Sequence, residues 1–181
     1  MERLFKNLMV MLVAVSSSIA FVSCQEPPFG DDDNKPKPAE VVAVSALYSI
    51  TPSQDLADFF DITVECGVDD VVGTQETISG EGWSFFKRYG DGDTIPSKYF
   101  CNAIATPKSV LPEVDVEKLY DFEAKYTIMM EQYYSDGRST IIYYHEGKRP
   151  SIGMRGEKVQ RFIDKGVQTV LNFVYPPVVE Q

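Results

Sequence analysis

Two alternating runs, Phe122 to Tyr134 and Ser139 to His145, are separated by Ser135-Asp136-Gly137-Arg138. Asp-Gly between runs rich in Tyr and Ile is a mechanistically specific hairpin signal. Gly147 to Pro150 is read as the end of the return strand.

The remaining chain supplies further strands. Glu40 to Ile50 reads as a first strand, and Ser53 as the cap of a helical turn reaching Ala57 or Asp58, with Asp55 at its positive end. Between Phe59 and Cys66 the alternation is clean: Ile62, Val64 and Cys66 share one face, and Asp61, Thr63 and Glu65 the other. Gly67 to Asp70 reads as a turn and Val71 to Ile78 as a strand with Thr74, Glu76 and Ile78 on one face. Gly80-Glu81-Gly82 breaks the chain before a strand that Trp83 begins, and Trp83 is expected to anchor the core rather than stack a ligand. Lys98 to Thr106 is a further strand, Asp115 to Leu119 a turn of helix, and Gly156 to Lys165 a short helix with Val159, Phe162 and Ile163 on one face. Val167 to Tyr175 closes the fold before Pro176-Pro177. The sum is a mostly β protein: an antiparallel Ig-like β-sandwich of about seven or eight strands with one or two short helices.

The N-terminus has a different character. Arg3 and Lys6 precede an apolar stretch from Leu8 to Ala20, too short to span a membrane comfortably and suited to a signal peptide. It ends in Phe21-Val22-Ser23-Cys24, which resembles a bacterial lipobox. The resemblance implies that residues 1–23 are removed and that Cys24 is lipidated on sulfur and becomes the acylated first residue. Two or more acyl chains anchor stably, where one binds only marginally. The bland alternative is an ordinary secretory signal with a chance cysteine. Residues 24–39 then form a tether. Its four prolines, one glycine and Asp31-Asp32-Asp33 cannot bury a core. An extended proline-rich spacer of this length spans roughly 45 Å. The acidic run resembles the surface-export signals of Bacteroidetes lipoproteins, though it lies further from the cysteine, so outer-surface display is slightly favoured over a periplasm-facing position.

Residues 40–181 make the folded domain, within the 158 residues left after removal of 1–23. A chain of that length buries about 68–70% of its unfolded surface. Its order of pieces, from Tyr48-Ser49-Ile50-Thr51 and Asp55-Leu56 through Phe60-Asp61-Ile62-Thr63-Val64, Glu76-Thr77-Ile78-Ser79-Gly80, Trp83, Ile95-Pro96 and Tyr120-Asp121-Phe122, resembles a group of small Bacteroidetes lipoproteins with an Ig-like sandwich. The resemblance covers most of residues 45–135. It implies a lipid-anchored fold and carries no catalytic residue, since that group has no established activity.

Charge narrows the partners. The formal net charge is −10, and residues 1–23 hold +1 of the opposite sign, so the remainder is at −11. Such a surface repels phosphate backbones, and with no evident Lys/Arg cluster nucleic acid is not an expected partner. The expected contacts are membrane lipid, through acylated Cys24, and a protein or glycan ligand.

Catalytic and cofactor signatures do not emerge. The one histidine, His145, lies in a tyrosine-rich strand away from any G-x-S-x-G turn, and a solvated edge position is expected for it. Asp91-Gly92-Asp93 lacks the downstream Glu of a calcium loop. Zinc would need more well-spaced Cys or His, and phosphate-cradling glycine loops are missing, so no cofactor is expected. Paired carboxylates for a small carbohydrate-active hydrolase cannot be picked out in so acidic a chain. A pilus-like or envelope structural subunit is the other alternative. Cys66 and Cys101 would form a disulfide if their strands faced each other across the sandwich, or else stand as two buried thiols. Tyr133, Tyr134, Tyr143 and Tyr144 alternate along the hairpin, so about half can face solvent and offer a stacking or protein-contact surface.

Overall fold

The computed structural model describes residues 38–78 and 80–177. Cys24, the signal segment and the tether through residue 37 lie outside the described residues. Eight strands and two short helices follow in the order β1 (Val41–Pro52), α1 (Gln54–Phe59), β2 (Phe60–Val68), β3 (Val71–Ile78), β4 (Trp83–Gly90), β5 (Tyr99–Pro107), β6 (Tyr120–Tyr134), β7 (Ser139–Met154), α2 (Glu157–Ile163) and β8 (Gln168–Tyr175).

Every pairing is antiparallel, and the strands form two sheets, β4-β1-β6-β7 and β3-β2-β5-β8. This is the expected β-sandwich. Its first two strands, neighbours in one sheet of an immunoglobulin constant domain, here lie in opposite sheets, and α1 carries the chain between them. Ser53 makes that corner: its Oγ accepts from Leu56 N at 3.2 Å and from Glu123 N at 3.1 Å and donates to Asp121 O at 2.5 Å. One hydroxyl thus caps the helix and ties it to β6.

Alternation builds the core. Tyr48 and Ile50 of β1, and Phe122, Ile128 and Met130 of β6, face Ile62, Val64 and Cys66 of β2, Cys101 of β5, and Leu171 and Phe173 of β8. Fully burying a large apolar side chain contributes about 1.5–3 kcal/mol. Phe162 of α2 closes one end, its ring 5.0 Å from that of Phe122 and 5.7 Å from that of Phe60.

Two sequence expectations need correction. First, β7 does not end at Gly147 to Pro150 but runs on to Met154. Gly147 lies opposite Tyr126, and a Cβ there would stand 2.3 Å from the Tyr126 hydroxyl, so the glycine admits a ring rather than making a turn. Pro150 is tolerated because β7 is an edge strand and the ladder shifts register there. Second, Asp115 to Leu119 is not helical; Asp115 N donates to the Tyr120 hydroxyl at 2.8 Å, and Asp115 Oδ1 accepts from Glu117 N, holding an irregular bend. Of the two alternatives for Cys66 and Cys101, the structure has the buried thiols, and the strands that carry them do not face each other across the sandwich. The two cysteines are direct register partners on adjacent strands of one sheet, both free thiols and both buried.

Candidate functional site

The outer face of the β4-β1-β6-β7 sheet carries an apolar row that crosses all four strands. The registers Leu47↔Phe86, Leu47↔Met129 and Met129↔Tyr144 place Phe86, Leu47, Met129 and Tyr144 side by side on successive strands. At about 4.8 Å per inter-strand step, the row is about 14 Å long. Phe86 is 62% exposed and Tyr144 57%, with Leu47 and Met129 half-buried between them. Ile141, opposite Glu131 in the adjacent row beyond a bulge at Ile142, is exposed beside it.

Polar groups edge this belt on both sides. On one side, Arg88 of β4 lays its guanidinium 4.0 Å from the Tyr133 ring centre and pairs with Asp91 through two bonds of 2.7 and 2.9 Å. Tyr133 donates its hydroxyl to Glu131 at 2.8 Å and stands 3.4 Å from the buried Ser45 hydroxyl. On the other side are Ser84, Ser49, Thr127 and Glu146, in register across the same strands. The Tyr144 hydroxyl donates to the Glu146 carboxylate, which orients the ring and raises the phenol's pKa. Beyond them, Glu123 bridges Lys148 at 3.0 Å and Lys125 at 3.7 Å, two cations that would otherwise oppose each other directly, and Lys148 lowers its pKa. An apolar centre with a polar rim, rich in Phe, Tyr and Met, is the anatomy of a protein interface.

The opposite outer face differs. Gln75, Glu65, Asn102 and Asn172 form one polar row across β3, β2, β5 and β8, with Gln75 Nε2 donating to Glu65 at 2.8 Å. Thr77, Thr63, Ile104 and Thr169 form the next. On this face the exposed apolar side chains, Val71 and Val72 of the edge strand β3 and Ile104 of β5, do not form a row across the four strands.

The four hairpin tyrosines divide as alternation requires. Tyr144 joins the belt and Tyr133 its rim; Tyr143 turns inward onto Phe173, with ring centres 5.0 Å apart, and Tyr134 lies under Arg138 at the turn. Trp83 is part-buried where the β4 edge meets the β3 edge. It stacks on Phe85 and donates Nε1–H to Glu76 of the facing sheet at 3.0 Å, linking the two sheets. His145 is exposed on the β7 edge, its Nε2 3.3 Å from the Tyr126 hydroxyl.

The thiols sit in an aromatic environment. Phe173 pairs with Cys101 in register and contacts Tyr48, whose buried hydroxyl has no hydrogen-bond partner among the described residues. Burial pushes the Cys66 thiol up to about 11 and Cys101 higher still, so both remain protonated at neutral pH. Among the described residues no group of three or more His, Cys, Asp or Glu converges to hold a metal ion. Open clefts of about 430 Å³ at Glu113 to Val116 and about 410 Å³ beside Lys125 and Lys148 are lined by loop residues in the first case and by residues of β6 and β7 in the second.

Sequence reasoning located Tyr144 and missed Phe86, Leu47 and Met129. Each lies in an apolar run whose outward member cannot be chosen until the strands are paired. No family model, curated protein or solved structure matches this chain.

Proposed function

We propose that this chain is a lipoprotein of the cell envelope, anchored in the outer membrane through acylated Cys24, whose sandwich domain binds a protein partner rather than performing catalysis. The observation that carries the binding role is the Phe86-Leu47-Met129-Tyr144 belt, exposed on one sheet face and rimmed by Arg88, Glu131 and Glu146. Support for the anchor is the lipobox-like Phe21-Val22-Ser23-Cys24 and the proline- and aspartate-rich tether behind it. Display on the outer surface fits the acidic run Asp31-Asp32-Asp33. A protein partner is favoured over a glycan because the belt is continuous through Leu and Met, which offer shape-adaptable apolar area and no ring to stack a sugar.

A photoreactive side chain placed at Ser84, beside Phe86, tests the reading in living cells. The expected result is a discrete adduct that is lost with Tyr144→Ser, and no comparable adduct from the same group at Asn172 on the opposite face. Equal capture from both faces, or capture indifferent to Tyr144→Ser, contradicts it. An adduct of twice the chain's mass identifies a second copy as the partner.

A further inference from the structure

Positive charge in this acidic chain is concentrated in one place. Residues 148–165 hold six of the seventeen Lys and Arg but only two of the 27 Asp and Glu. Folding draws three of those cations, Lys158, Arg161 and Lys165, around a cleft of about 270 Å³ with Ile152, Met154 and Phe162. The floor is apolar: Phe162 is buried, Met154 nearly so, and Ile152 is 40% exposed. Arg161 reaches Glu157 at 3.2 Å in a pair whose two side chains are largely exposed, and Lys158 and Lys165 have no ion-pair partner among the described residues. Cations held around an apolar floor are complementary to a ligand with an anionic head and an apolar stem.

We propose that this cleft binds the anionic head and first carbons of a single-chain amphiphile of the fatty-acid type, with Lys158 and Lys165 holding the head and Ile152 and Met154 receiving the chain. The volume supports a partial, single-chain occupant, because it falls just below the range of about 300–1,000 Å³ that encloses a drug-sized molecule. Charge favours a monomer over an anionic bilayer. Glu157 and Asp164 lie among these cations in sequence, Glu157 in an ion pair with Arg161, and their negative charge opposes docking on an anionic surface. The site is separate from the belt, since neither Phe86 nor Tyr144 lines it.

The test is a titration of the full chain carrying Cys24→Ser, which removes the thiol available for acylation. Decanoate is added below its micelle concentration, and backbone amide shifts are followed by NMR. The expected result is saturable one-to-one binding with shifts confined to the β7 end and α2. Lys158→Gln with Lys165→Gln, both at exposed and unpaired positions, should weaken it by about tenfold, and decyltrimethylammonium should not saturate the site. Absence of saturable binding, equal affinity in the double variant, equal binding of inorganic phosphate alone, or a response only to anionic phospholipid vesicles would each overturn the proposal.

Discussion

Gly67 has no room for a side chain: a Cβ there would lie 1.9 Å from the Val71 carbonyl oxygen and 2.8 Å from the Phe100 ring. A backbone oxygen in the β2–β3 hairpin cannot rotate away, whereas at Gly147 the obstacle is the Tyr126 ring, which can shift. Gly67→Ala should therefore destabilise the domain more than Gly147→Ala, with the latter in the range of about 1–3 kcal/mol typical of overpacking, read by denaturant unfolding. Cys66 and Cys101 offer a second residue-level test. Buried thiols held protonated should resist iodoacetamide in the native chain at pH 8 and react fully once unfolded. Rapid native labelling would contradict their burial, and failure to label the unfolded, unreduced chain would show a bridge. Asp69 concerns acid stability. Its carboxylate accepts from the Ser97 hydroxyl and from the Ser97 and Lys98 amides, and these bonds hold its pKa below the ordinary 3.8. A depressed folded pKa stabilises the fold above the unfolded value, and that contribution is lost as pH falls through the folded value. Thermal stability should decline below about pH 4, and less steeply in Asp69→Asn; identical slopes would remove Asp69 from the account.

Among the elements, α1 depends most on a single side chain. Ser53→Ala removes the helix cap and the bonds to β6 together. The expected loss is about 1–2 kcal/mol, at the upper end for a cap, measured as a shift in the urea midpoint with an unchanged m-value. This corner was readable in the sequence, because Ser-x-Asp ahead of Leu56 is a local signal with a local cause. The limits of β3 and the hairpin turn at Asp136-Gly137 were readable for the same reason. The full length of β7 was not: Gly147 and Pro150 look like terminators, and their tolerance depends on Tyr126 and on the edge position, both tertiary facts. The belt lay further out of reach, since cross-strand register is not written in any one strand. Lys158, Arg161 and Lys165 were visible at helical spacing, but the chain's overall acidity hid them.

At the scale of the molecule, a continuous apolar belt crosses one sheet face, two mostly polar rows cross the other, and cations gather beside α2. Association through the belt should be limited by its aromatic ends, because hot spots cluster in a few large side chains. Phe86→Ser and Tyr144→Ser should each weaken partner binding by more than about tenfold while leaving the unfolding midpoint nearly unchanged, as both side chains are largely exposed. The proposed membrane anchor is tested most directly by the intact mass of the chain extracted from native membranes. The expected result is a polypeptide beginning at Cys24 and carrying the added mass of two or more acyl chains. A chain that begins elsewhere, or one with Cys24 unmodified, would contradict it.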